Sequence, residues 1–320
     1  MTGKNAAGYG KSLSILHAEW RVKNRLTTYL LQLFPMFREE FFSNGPVRLN
    51  VARGPQNGPP LLLLHGVTRR WQSFTPILPA LAPRWEISAL DFRGHGRSDR
   101  HPDGRYFVPD YIEDAAAFVE SFGEPVVIYG HSLGSMVAAG VAARLPGHVR
   151  AVVLEDPPFT TMGERIRQTS LHSWFSALVP HCGSNESVAE IVRQLAEVRT
   201  VAPGAAPVRV GDVRDPASLR FTARSLKELD PRVLAPIVST QWLDGFNYPD
   251  VLPRVRCPVL LLQADPAVGG MLIDDEAGRA GQLIEDCTRI RFPGAGHLIH
   301  WLDTESLLRM VLSFLESLES

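Results

Sequence analysis

The sequence predicts an α/β fold built on a mostly parallel sheet, and three observations predict it. Short apolar runs such as "LLLL" at 61–64 have the character of strands buried on both faces. Helix-length segments alternate with such runs along most of the chain. One pair, "VVIYGHSLGSMVAAGVAARL" at 126–145, passes from strand to helix through a few small residues.

Taken in order, residues 12–34 carry Leu13, Leu16, Trp20, Leu26, Leu30 and Leu33 near helical spacing, ending before Pro35. This reads as an amphipathic extension docked on the body or on a second subunit, which leaves a homodimer open. "MFREEFFSNGPVRLNVARG" follows, with a turn signal at Asn44-Gly45, and reads as a β-hairpin. Strands are expected at 61–64, 86–91, 125–130, 149–155, 258–263 and 288–292. Helices are expected at 71–82, 109–122, 132–145, 275–285 and 303–319. The hairpin makes the sheet mixed and brings it to eight strands.

The alternation stops between about Pro157 and Pro253. "SVAEIVRQLAEVRT" and "PASLRFTARSLKELD" are helix-like, and no buried strand is evident. The division expected is therefore a 1–36 extension, a core of 37–156 with 254–320, and a helical insertion at 157–253.

Composition narrows the function. The chain has 320 residues, 45% hydrophobic and 21% charged, which suits a folded protein with a substantial core. A formal charge of −1, from 33 basic and 34 acidic residues, gives no reason to expect nucleic acid or an anionic membrane as partner. No segment approaches the roughly 20 apolar residues of a membrane span. Cys182, Cys257 and Cys287 are odd in number and form no C-x-x-C pair, so thiols in a reducing compartment are expected. A cytoplasmic location follows. No phosphate loop, dinucleotide fingerprint or metal-ligand cluster is present, so no cofactor and no metal are expected, and the partner is a small-molecule substrate.

The chemistry centres on "YGHSLGS". Gly130 and Gly134 flank Ser132 in a G-x-S-x-G pattern, with strand before and helix after. That turn puts the serine at the carboxyl edge of the sheet, where open α/β sheets bind ligands. A serine hydroxyl needs a base. His297, in "IRFPGAGHLIHW" after the final strand, would emerge at the same edge, and His300 is set aside as a packing neighbour. The backbone N–H groups of Val67, after "LLLLHG", and of Leu133, at the helix start, are candidates to hold an oxyanion. For the carboxylate that orients His297 the candidates lie at strand ends: Asp156 in "AVVLEDPPF" and Asp265 in "VLLLQADPAVGG", with Glu155 ranked lower because strand alternation should face it differently.

These features together resemble an α/β-hydrolase. "LLLLHG", "LDFRGHGRSD", "GHSLGS" and "GAGH" occur in that family's order and span about 60–300. The resemblance implies Ser132 as nucleophile, His297 as base, and the insertion after Asp156 as a cap. It also implies an acid after the penultimate strand in most members, which points to Asp265, but the usual G-x-x-D spacing is missing. Some relatives place the acid one strand earlier, and Asp156 is preferred on that ground. A serine nucleophile argues against dehalogenase or epoxide hydrolase chemistry, which use aspartate in this fold.

The expected activity is therefore hydrolysis of a small, partly apolar ester or lactone. C–C bond hydrolysis, amide hydrolysis, cofactor-free haloperoxidase chemistry and a low-turnover receptor are the alternatives. His65, Arg69, Trp71, His131, Trp174 and Trp242 are expected to meet the substrate. Arg70, Phe159, Phe175, Phe246 and Tyr248 are further residues of the same loop and insertion. "DFRGHGRSD" is expected to be structural.

Overall fold

The computed structural model describes residues 37–201 and 206–318. The helix read at 12–34 lies outside them. A hairpin opens the described chain: β1 (Arg38–Asn44) and β2 (Val47–Arg53) turn at Gly45, whose φ is +56°. Then come β3 (Pro60–Leu64), β4 (Glu86–Leu90), β5 (Val126–His131), β6 (Val149–Glu155), the short β7 (Arg199–Thr200) and β8 (Val208–Arg209), β9 (Val259–Ala264) and β10 (Cys287–Phe292). The eight-stranded sheet runs β1-β2-β4-β3-β5-β6-β9-β10. β2 is antiparallel to β4, and every pairing from β4 to β10 is parallel.

Central strands β3, β5 and β9 are buried along their whole length, as their apolar runs at 61–64, 126–128 and 259–262 require. β10 differs. Its Thr288, Arg289 and Arg291 are exposed, and charge on this outermost strand discourages pairing with another chain.

The long helices are α1 (Val108–Glu120), α2 (Leu133–Arg144), α3 (Ser170–Leu178), α4 (Val188–Glu197), α5 (Pro216–Lys227), α6 (Asp274–Leu283) and α7 (Thr304–Glu316). α2 is buried from Leu133 to Ala142, on all sides, and its alanines and glycines let neighbours approach closely. The single helix expected at 71–82 is instead a 3₁₀ turn (Trp71–Phe74) and one helical turn (Leu78–Leu81). Pro76 and Pro79 interrupt it, because proline donates no backbone hydrogen bond.

Between β6 and β9 the described chain is helical apart from the β7–β8 ribbon. That ribbon was not legible in the sequence: it has two residues per strand, too few to show a period. The helices here have clear starts. Ser187 and Glu190 form a capping box at α4. Asp215 accepts the Ser218 N–H at 2.8 Å, and Pro216 opens α5.

"DFRGHGRSD" is a buttress beside the sheet edge. Asp91 accepts N–H groups from Trp71, Asn50 and Arg97 at 2.7, 2.9 and 3.1 Å. Arg93 forks onto Asp114 of α1 at 2.5 and 2.6 Å, a buried ion pair in bidentate geometry.

The register fixes where loops emerge. Leu64 lies beside Gly130, His131 beside Glu155, and Glu155 beside Leu262. The loops after β3, β5, β6, β9 and β10 therefore leave one carboxyl edge, and they carry Val67, Ser132, Asp156, Asp265 and His297.

Candidate active site

Ser132 occupies a backbone conformation that side chains rarely adopt, with φ 56° and ψ −114°. Such strain costs about 1–3 kcal/mol and persists only where surroundings enforce it. Here the enforcement is steric. A Cβ on Gly130 would lie 2.1 Å from the Gly134 carbonyl oxygen, and one on Gly134 would lie 1.9 Å from the Leu64 oxygen. Both positions admit only glycine, so the strand can turn into α2 within one residue. The Ser132 N–H donates to the Glu155 carbonyl at 2.9 Å, which ties the turn to β6.

His297 and Asp156 meet at 2.6 Å, Nδ1–H to Oδ2. Asp156 has no exposed surface, and its own φ is +47°. Its carboxylate also accepts three backbone N–H groups: Ala264 at 3.1 Å and Leu272 at 3.2 Å on Oδ1, and Met271 at 2.8 Å on Oδ2. With the proton on Nδ1, the His297 Nε2 is left as the basic nitrogen. Asp265 is engaged elsewhere. It accepts the Gly294 N–H at 2.9 Å and the Ala267 N–H at 3.0 Å, and these bonds hold its carboxyl below the usual carboxylate range.

The loop after β3 makes a tight turn. Arg69 N–H donates to the Gly66 oxygen at 3.1 Å, and Thr68 takes φ 63°. Neither the Val67 nor the Leu133 N–H donates to another group among the described residues. Leu133 begins α2, so its N–H belongs to the positive end of that helix.

A cavity of about 360 Å³ opens here, and Ser132, His297, His131, Val67, Arg69 and Trp174 all line it. Three residues expected to meet substrate do not. His65 is fully buried below the turn, its Nδ1–H on the Gly66 oxygen and its Nε2 accepting the Phe92 N–H. Trp71 turns away, and its indole N–H donates to Glu39 at 2.9 Å. Trp242 has no exposed surface, and its backbone carbonyl accepts the Val108 N–H of α1 at 3.1 Å. Arg70 is paired with Glu228 at 3.3 Å.

Other lining residues had not been read from the sequence, among them Arg214, Met162 and Thr68. Arg214 directly precedes the Asp215-Pro216 helix start. That signal marks a helix but does not tell which way the preceding side chain faces.

Residues 59–304 match the family described as the alpha/beta hydrolase fold. The chain belongs to that family. The 2-(acetamidomethylene)succinate hydrolase of Mesorhizobium japonicum is 28% identical over 282 residues, 85% of this chain and 93% of that protein. N-formylmaleamate deformylase of Pseudomonas putida is 25% identical over 277 residues, covering 86% and 94%. The crystal structure of E-2-(acetamidomethylene)succinate hydrolase superposes with a TM-score of 0.70 at 23% identity, over 88% of this chain and 99% of that one, which shows the shared fold. These matches place the α/β-hydrolase among hydrolytic enzymes.

Behind the cavity the hydrolase holds a second polar chain. Glu155 accepts from Tyr129 at 2.5 Å and from His300 Nδ1 at 2.8 Å, and the other His300 nitrogen meets Ser73 at 3.2 Å. His131, Glu155 and His300 have donor atoms within 4.8 Å of one another, but Glu155 already serves His300 and Tyr129. This group is an internal hydrogen-bond network. The His131 ring lies tilted against His297 and edge-on to His300, with ring centres 4.7 and 4.9 Å away, and its Nε2–H donates to the His297 carbonyl at 3.0 Å.

Buried imidazoles make this α/β-hydrolase sensitive to acid. Burial drives His95 from 6.5 down to about 4, and His65 and His131 well below 6.5. Unfolded, all three take up a proton near 6.5, which the folded state refuses. Their contribution is complete above that pH and is lost as pH falls toward 4. Asp91 works in the opposite direction, because burial raises it to about 6. Three imidazoles outweigh one carboxylate. Chemical denaturation is expected to show stability falling from pH 7 to about 4.5, and a flat profile would contradict these burials.

Proposed function

We propose that this α/β-hydrolase cleaves an acyl bond, in an ester, lactone or amide, through an acyl-enzyme on Ser132. The observation that carries the proposal is the 2.6 Å contact from His297 Nδ1 to Asp156, in the same cavity as a strained serine. His297 Nε2 takes the Ser132 proton as Oγ attacks the carbonyl, then delivers it to the leaving group. Water repeats the cycle on the acyl-enzyme, regenerating Ser132 and releasing the acid. Asp156 holds the imidazole in the required tautomer and stabilises the imidazolium, and its three backbone donors keep it in place. The Val67 and Leu133 N–H groups receive the developing oxyanion.

The 157–253 segment serves as the cap, with Trp174, Phe175 and Met162 as apolar walls for the acyl or leaving group. Amides belong in the range because two relatives aligned along most of their length carry an acetamido and an N-formyl group in their substrate names.

A fluorophosphonate probe tests the reading. The expected result is a stoichiometric adduct, mapped by peptide mass spectrometry to Ser132. An adduct elsewhere, or none in the folded protein, would count against it. Steady multiple turnover of a p-nitrophenyl ester separates this enzyme from a receptor that releases at most one product.

A further inference from the structure

Two neighbouring arginines have opposite fates. Arg70 is paired with Glu228. Arg69 is 7% exposed, lines the cavity, and has no carboxylate within ion-pair distance among the described residues. One of its terminal nitrogens, Nη1, is buried with no hydrogen-bond partner. The guanidinium rests 5.4 Å from the Phe221 ring centre. A buried guanidinium donor left unpartnered is costly, so such groups are ordinarily satisfied.

A second cation shares the space. Arg214 lines the same cavity, lies over the Trp174 ring at 4.3 Å, and likewise has no ion pair among the described residues. Burial first, and then the charge of Arg214, bring Arg69 down to about 9. The acidic residue of the cavity wall is Asp215. It is exposed, and its Oδ1 is committed to the start of α5. The wall thus holds two mutually repelling cations against one exposed carboxylate, beside apolar surface.

We infer that the cavity takes a substrate bearing a carboxylate, which docks on Arg69 and Arg214 while its acyl carbon meets Ser132. This rests on the reading of Ser132 as nucleophile. A carboxylate matches the planar guanidinium fork and satisfies the orphaned donor. The scale follows from the turn. Val67 and Arg69 are two residues apart, so the oxyanion donor and the cation belong to one short loop. A cavity of about 360 Å³ then holds a short chain between the two functions. Half-esters, half-amides or lactone acids of dicarboxylic acids with about four to six carbons fit that description. A phosphate dianion fits less well, since desolvating it beside Trp174 and Phe175 costs more than a monoanion does.

The test compares p-nitrophenyl hemiglutarate with its neutral methyl-capped diester. The wild-type protein is expected to favour the anionic ester by about 30-fold or more in kcat/KM, the scale of a charge-assisted hydrogen bond. In Arg69→Met, which keeps length and loses charge, that ratio collapses toward one. A wild-type ratio near or below one overturns the inference. So does an Arg69→Met protein that loses activity on both esters equally and keeps the ratio. If Arg69→Met does not fold, Arg214→Met is measured in the same way, and a retained ratio there overturns the paired site.

Calorimetry with glutarate on Ser132→Ala separates the two readings. Binding that disappears on adding Arg69→Met supports the anion site whatever the serine does. Ester turnover that survives Ser132→Ala would instead sink the nucleophile.

Discussion

Asp156→Asn is expected to lower kcat about 10³- to 10⁴-fold, while Asp265→Asn stays within about threefold of wild type. The contrast comes from what each carboxylate accepts. Both Asp156 oxygens face only donors: Ala264 and Leu272 N–H on one, Met271 N–H and His297 on the other. An asparagine must turn its NH₂ toward one of those pairs. Toward His297, it demands the other tautomer and removes the base from Ser132. Toward β9, it sets donor against donor in a fully buried place, and stability falls with activity. Asp265 shapes the Gly294 and Ala267 turns and does not touch the imidazole. Steady-state kinetics on the two variants, with circular dichroism to confirm folding, checks this. Equal losses, or a larger loss at Asp265, would reassign the acid.

Much of the fold was legible because its determinants are local. Apolar runs at 61–64 and 149–155 fell where strands β3 and β6 lie, and Asn44-Gly45 marked the hairpin. The family was legible from ordered motifs, and the elbow from two glycines whose added Cβ atoms would strike backbone oxygens.

What the sequence did not supply is direction across the tertiary structure. His65, Trp71 and Trp242 have the chemistry of binding residues but face inward or away. Arg69 and Arg70 are adjacent and indistinguishable in sequence, yet one meets Glu228, 158 positions away, and the other meets the cavity. Arg214 entered the site because the chain between β8 and α5 folds it over Trp174, a contact with no local signature. The choice between Asp156 and Asp265 depended on the same kind of information. Both end parallel strands at one edge, and only the loop that brings Met271 and Leu272 onto Asp156 distinguishes their surroundings.

The reaction proposed here stands on the Ser132 hydroxyl. Ser132→Ala keeps the Cβ and asks the same φ of the backbone, so the fold should persist and the cavity should remain. With no nucleophile, only oxyanion donors and binding contribute, and serine hydrolases stripped in this way lose most of their rate. The direct measurement is turnover of a p-nitrophenyl ester by purified wild-type and Ser132→Ala protein, side by side. A Ser132 nucleophile requires a fall in kcat of about 10³-fold or more with unchanged thermal stability to within about 1 kcal/mol. Turnover by Ser132→Ala within about tenfold of wild type would contradict it.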